Sequence, residues 1–241
     1  MKGFIHAHSK YSYDSLNDMD LILDKAIENE LDFIILTDHD TINGSLHLNR
    51  RAQERNLNLI IPKAAEYKTE FGDIIAAFVD HEIHETNFEN FIYEVTRQNG
   101  ILMLPHPYQS HPIEMLEYIA SKMDIIEVFN ARCTQEQDIK AELLAKNTNK
   151  PVFYGSDAHL KNELCNVIIS IETSEKNEAS LKEALLNNKI SLISKDKIYL
   201  RGIRFSQFIK AFKRKSISIL YRNATALIID LIRYGWNKKI S

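Results

Sequence analysis

Short runs rich in β-branched and aliphatic residues recur along the chain, at 3–8 (GFIHAH), 33–39 (FIILTDH), 57–66 (LNLIIPKAAE), 73–79 (DIIAAFV), 101–107 (ILMLPHP), 124–130 (DIIEVFN), 151–159 (PVFYGSDAH) and 166–172 (NVIISIE). Apolar runs of this length read as strands. Between most of them lie charged stretches with helical spacing. Examples are 18–30, with Leu21, Ile22, Leu23, Ala26 and Ile27, and 135–147, with Ile139, Leu143 and Leu144. Strands alternating with helices imply parallel βαβ units and right-handed crossovers. Roughly seven such units predict an α/β barrel, closed or nearly so, rather than a flat sheet.

Composition narrows this picture. A chain of 241 residues fits one α/β barrel, and 44% hydrophobic with 26% charged residues excludes a disordered or fibrous protein. Cys133 and Cys165 are too few for a disulfide framework. Met1-Lys2 leads into an apolar stretch too short for a signal peptide, so a cytoplasmic protein is expected.

The net charge of -3 is unevenly spread: residues 195–241 carry twelve Lys or Arg against two Asp, whereas residues 1–194 carry eighteen against thirty-one acidic residues. The expected organisation is a barrel over 1–194 and a basic, helical C-terminal extension over 195–241, packed on the barrel. Within that extension Phe205, Phe208, Ile209 and Phe212 recur at i, i+3, i+4 and i+7, interleaved with Lys210, Lys213, Arg214 and Lys215. Such a segment either packs on the barrel with a solvated cationic face or contacts nucleic acid or an anionic membrane. Arg222, Asp230 and Arg233 interrupt the last apolar stretch too often for it to span a bilayer.

Polar residues collect at the ends of the apolar runs: His6 and His8, Asp38 and His39, Glu66, His106, Asn130, then Asp157 and His159. That is the face on which parallel barrels place their chemistry. One histidine at a strand end is ordinarily scaffold, and TDHD alone reads equally well as a helix-capping turn. Here five of the nine histidines share the position. His6-Ala7-His8 also has the period of two that aims both rings at one face, the simplest way for a strand to chelate a metal. His47, His81 and His84 fall in helical or polar stretches and read as surface, with His111 a support to the site. The chain has no G-x-S-x-G, P-loop, G-x-G-x-x-G or C-x-x-C pattern.

In this order and spacing, HAHSKYSYDS, LTDHDT, AAEYKT, LPHP, IIEVFNAR and GSDAH resemble the metal-binding motifs of the polymerase and histidinol phosphatase (PHP) family, over residues 1 to about 172. The resemblance implies a distorted (βα)7 barrel that holds two or three divalent metals at its C-terminal face and hydrolyses phosphoesters. Carried over by position, His6, His8, Glu66 and Asp157 would hold one metal, and Glu66 would bridge to a second held by His106. Asp14, His39 and His159 would hold a third. Glu66, Asp157 and His159 are the implied catalytic residues. Where some relatives have His or Cys for the second metal this chain offers Asn130, with Cys133 in the following loop as a substitute. Mixed imidazole and carboxylate ligands suit Mn, Fe or Zn rather than Mg or Ca. Asp38 is placed to orient an imidazole, and Arg132 and Lys161 are candidates to grip phosphate.

The implied substrate is a small phosphomonoester or nucleotide. A nuclease acting on oligonucleotide ends, with the basic tail as its contact, and a non-catalytic domain serving assembly or regulation are the alternatives. Hydrolysis of C–N bonds is disfavoured, because no lysine sits at a suitable strand end.

Overall fold

In the computed structural model, which describes residues 1–240, the eight apolar runs and one further strand at 190–195, which the sequence pattern does not identify, form one nine-stranded sheet. Its strands are β1 (Lys2–Ala7), β2 (Phe33–Ile35), β3 (Ala64–Thr69), β4 (Gly72–Ala77), β5 (Ile101–Leu104), β6 (Ile125–Asn130), β7 (Val152–Ala158), β8 (Val167–Ile171) and β9 (Ile190–Lys195). The hydrogen-bonded order is β3-β4-β5-β6-β7-β1-β8-β9, with β2 on β1. The β1–β2, β1–β7, β5–β6 and β6–β7 pairs are parallel. Isolated parallel bridges, Phe33 to Ile60 and His39 to Glu66, join the β2 segment to that of β3. The pairing therefore returns on itself from β1 through β7, giving a distorted α/β ring.

Alternation along the strands divides the core. Ile5, Phe33, Ile35, Ile75, Met103, Ile125 and Phe153 belong to one buried cluster. Their strand neighbours Phe4 and Ile34 belong to a second, with Met19, Ile22, Leu23 and Ala26 of α1 (Met19–Glu28) and Leu48 and Ala52 of α2 (Asn43–Glu54). A third cluster sets Ala65, Ile74, Leu102 and Ile126 against α3 (Phe88–Arg97), the short α4 (Pro107–Ser110), α5 (Leu116–Lys122) and α6 (Gln135–Asn147). Strands buried on both faces need such near-continuous apolar runs.

The ring is not parallel throughout. β4 pairs antiparallel with both β3 and β5, because only Glu70 and Phe71 separate β3 from β4, which is a hairpin connection and not a crossover. The 57–66 run becomes a strand only from Ala64. Pro62 lacks the N–H a ladder needs, so Glu66 lies inside β3 and not at its end. In α6 the buried face is Asp138, Ala141, Leu144 and Ala145, while Ile139 and Leu143 are 49% and 54% exposed. A polar anchor sets this rotation, since Asp138 accepts from the Asn130 N–H and pairs with Lys197.

After α7 (Glu178–Leu186) and β9 come α8 (Leu200–Lys213) and α9 (Ile217–Tyr234). α8 is tied to the loop after β1: Lys213 Nζ donates to the carbonyls of Lys10, Ser12 and Ser15 at 2.8, 2.6 and 2.8 Å. Phe208 and Ile209 are half-buried, Phe212 is 83% exposed, and Asn223 is the one buried residue of α9. No helix among the described residues is long and apolar enough to cross a membrane.

Candidate metal centre

Eight side chains from six places in the chain converge at one end of the ring. His6 Nε2 lies 3.6 Å from both Glu66 Oε2 and Asp157 Oδ1. His8 Nε2 lies 3.5 and 3.3 Å from the same two oxygens. His106 Nε2 is 3.0 Å from Glu66 Oε1. Asp14 faces the Nε2 atoms of His39 and His159, both at 3.3 Å, and His39 Nδ1 lies 3.3 Å from Glu66 Oε2. Three sets of ligand atoms each fall within 4.8 Å of one another: His8, Asp14, His39 and His159; His6, His8 and Asp157; and His6, Glu66 and His106.

The proton on each ring follows from its hydrogen-bond partners. His6 Nδ1 is 2.9 Å from Glu127 Oε1, a carboxylate that can only accept, so the proton sits on Nδ1. Ser12 Oγ gives its hydrogen to Asp38 Oδ1 and therefore accepts from His8 Nδ1, 3.1 Å away. His111 Nε2 donates to the Asp73 carbonyl, which turns its Nδ1 into an acceptor for Ser110 Oγ; Ser110 Oγ in turn accepts from His106 Nδ1. His159 Nδ1 donates to the Asp157 carbonyl at 2.9 Å. Four imidazoles are thus fixed with the Nε2 lone pair facing carboxylate oxygens. Two acceptors face to face repel unless a cation lies between them, a metal ion or, in the metal-free protein, a second ring proton on Nε2. His6 Nε2, His8 Nε2 and Asp14 Oδ1 are buried without any hydrogen-bond partner, which buried polar atoms seldom tolerate. This donor set fits divalent metal, with outer partners on the far ring nitrogens as metal-bound histidines have them.

The backbone is bent to reach this arrangement. His6, His106 and Asp157 have φ of 65°, 28° and 46°, a region costing a non-glycine residue about 1–3 kcal/mol and concentrated at functional sites. His6 sits where the β1–β7 register slips: Ile5 pairs with Gly155 and Ala7 with Ala158, so Ser156 and Asp157 oppose it in a bulge that re-aims both side chains. Gly155 leaves room for Glu127, whose Oε1 would stand 1.7 Å from a Cβ there.

Burial opposes charge throughout, and the mixture of signs overrides it. The carboxylates of Glu127, Asp157 and Glu66 hold the His6 pKa well above its usual value despite burial. Burial likewise opposes charge on His39 and His106, but Glu66, joined at His39 by Asp14, raises both to about 9. Burial and the neighbouring His159 and His39 lower His8 to about 3. Burial works against ionising Glu66, Asp14 and Asp157 as well, yet the surrounding imidazoles keep all three well below the carboxylate range.

The other candidates take other places. Asn130 donates Nδ2 to Glu127 Oε2 and Asp157 Oδ2 and accepts the Arg132 N–H, so its amide is engaged with the carboxylates beside it. The buried Cys133 thiol bonds Gln109. Arg132 lines the cavity above the cluster, and its guanidinium is taken up by the Asp157 carbonyl, Ser206 and Glu163. Lys161 is exposed along a separate apolar groove with Phe205 and Phe208. Asp38 accepts from Ser9 and Ser12, through both N–H and hydroxyl, and reaches His8 through Ser12 rather than the ring of His39 beside it. Sequence reasoning missed Glu127, which clamps His6 and also accepts the His106 N–H at 2.6 Å; a lone carboxylate inside the buried IIEVFN run was the available signal. It also missed Tyr13, stacked on His39 with centroids 4.4 Å apart.

An α/β ring that gathers imidazoles and carboxylates at one end, with His6, His8, His106 and His159 braced from behind, belongs to the class of barrel whose clustered side chains can hold metal. The PHP domain family model matches residues 5–200, and the chain belongs to that family. An uncharacterized protein of Methanocaldococcus jannaschii is 29% identical over 143 residues, 54% of this chain and 82% of its own. A two-domain protein from Bacteroides vulgatus containing a predicted PHP-like metal-dependent phosphoesterase superposes with a TM-score of 0.68 at 20% identity, over 81% of this chain but only 65% of that one. A lesion-specific endonuclease from Pyrococcus furiosus superposes at 0.56 and 14% identity, over 80% of this chain and 57% of its own.

Proposed function

We propose that this chain is a metal-dependent phosphoesterase acting on a small phosphomonoester or nucleotide. The observation that carries the reading is the convergence of buried, unpartnered His6 Nε2 and His8 Nε2 on Glu66 and Asp157, with the equally unpartnered Asp14 Oδ1 facing His159 Nε2 beside them. His6, His8, Glu66 and Asp157 would hold one divalent ion, Glu66 with His106 a second, and Asp14, His39 and His159 a third, with Mn, Fe or Zn suited to the mixed ligands. Such ions supply Lewis acidity toward phosphoryl oxygens and lower the pKa of water. Glu66, within reach of His6, His8, His39 and His106, spans the cluster and fixes its spacing. Asp157, steadied by Asn130, orients the donors opposite Glu66. His159, its Nδ1 committed to the Asp157 carbonyl, turns its one lone pair on Nε2 toward Asp14 and would serve the third ion as a ligand.

The cavity above the cluster holds about 250 Å³, a size that suits a phosphomonoester head group, including the terminal phosphate of an oligonucleotide. The exposed Phe205 and Phe212 of α8, with Arg214 and Lys215 just beyond it, are the candidate contact for an anionic partner, nucleic acid or lipid. The test is hydrolysis of p-nitrophenyl phosphate and nucleoside monophosphates by protein reconstituted with Mn²⁺. Activity is expected to vanish on chelation and in Glu66→Gln, whose fold persists by circular dichroism. A reconstituted protein that hydrolyses no phosphomonoester contradicts the proposal.

A further inference from the structure

The cavity over the metal centre has one wall from outside the ring: Ile203, Gln207 and Lys210 of α8 line it together with Tyr13, Asp14, His39 and His159. Three neighbouring cations are engaged or turned elsewhere, and Arg214, exposed over the Tyr13 ring, does not line the cavity. Arg132 spends its donors on the Asp157 carbonyl, Ser206 and Glu163, and Lys213 spends its own on three carbonyls of the β1–α1 loop. Lys161 faces a different groove. Lys210 is half-buried, and among the described residues it has neither an ion pair nor a hydrogen-bond acceptor; its Nζ rests over the Tyr13 ring, 4.6 Å from the centroid.

A half-buried ammonium that lines the cavity with no acceptor among the described residues is placed to meet an anion entering it. We propose that Lys210 is the substrate-anchoring cation of this site, binding the phosphoryl group, so that α8 completes a cavity the ring alone leaves open. This rests on the phosphoesterase reading above. Tyr13 serves as the spacer: it stacks on His39 and carries Lys210 and Arg214, at 4.6 and 3.9 Å from its centroid, which sets the ammonium at a fixed height above the metal ligands. Lysine suits the position, because a point charge on a flexible stem follows a phosphate as it changes geometry.

The test compares metal-loaded parent, Lys210→Met, Lys210→Arg and Arg222→Ala by calorimetric binding of inorganic phosphate and by steady-state hydrolysis of p-nitrophenyl phosphate. Lys210→Met keeps the aliphatic stem against Tyr13 and removes the charge. Phosphate affinity is expected to fall about tenfold or more and KM to rise by a similar factor, with a smaller change in kcat and unaltered metal content. Lys210→Arg is expected to recover most of the affinity. Arg222, exposed on α9, removes the same charge and should leave both constants unchanged. Phosphate affinity in Lys210→Met equal to that of the parent or of Arg222→Ala overturns the proposal, as does a parent protein that binds no phosphate. Phosphate binding that depends on Lys210 in a protein unable to hydrolyse any phosphomonoester overturns the hydrolytic reading and leaves the anchor standing.

Discussion

His6, His8, His106 and His159 each give their Nδ1 proton to a named acceptor and turn an Nε2 lone pair toward carboxylate oxygens, an arrangement that only a shared cation makes favourable. Glu127 is the brace on which His6 depends. Glu127→Gln is expected to weaken metal binding about 10- to 100-fold, the usual cost of losing such a partner, measured by competition with a chelating dye; unchanged affinity would show that His6 is oriented by something else. The metal-free protein should also carry a pH signature. In its folded state His39 and His106 titrate at about 9, above their usual 6.5. Protonation there adds stability that is fully present below pH 6.5 and is lost as pH rises toward 9. His8 and His111, held near 3 and 4, act oppositely, since unfolding lets them take up protons below pH 6.5. The melting temperature of metal-free protein should therefore peak near neutrality and fall on both sides. A melting temperature that climbs steadily from pH 6.5 to 9 contradicts these proton assignments.

At the scale of elements, the bulge between β1 and β7 and the room left by Gly155 let Glu127 and His6 meet. Gly155→Ala should push Glu127 off His6, lower stability by about 1–3 kcal/mol as overpacking does, and reduce bound metal; urea unfolding and metal stoichiometry read both, and a variant matching the parent in each would mean the strand tolerates a Cβ there. Strand runs and helix extents were legible where one rule dominates: Gln135–Asn147 forms the helix its spacing predicts, started by a Thr134–Gln137 capping box. Periodicity misled where a polar anchor outranks apolar area, as when Asp138 turns α6 and leaves Ile139 outside. Parallel pairing was overextended at β4, where a two-residue connection decides direction. Most candidate ligands were legible because they lie at or near strand ends, whereas Glu66, the end of its apolar run, sits inside β3, and Asp14, in the loop after β1, rested on the motif resemblance. Their braces were not, since Glu127, Ser12 and Ser110 are ordinary residues until the fold brings a histidine to them.

For the whole molecule, ring and C-terminal helices form one charge arrangement: the acidic body supplies the candidate metal ligands, and Lys210 of α8 lines the cavity above them. The sequence divided these charges at residue 195 but could not place Lys210 over Tyr13, in the same cavity as Asp14 and His39, because that placement needs the long path from β1 to α8 to close. The account stands on the claim that the facing acceptors around Glu66 are separated by metal. The most direct measurement is anomalous scattering, with elemental analysis, from crystals of protein loaded with Mn²⁺ or Zn²⁺. At least two ions are predicted within about 4 Å of each other, between His6, His8, Glu66 and Asp157 and the flanking histidines. One ion or none at that position would contradict it.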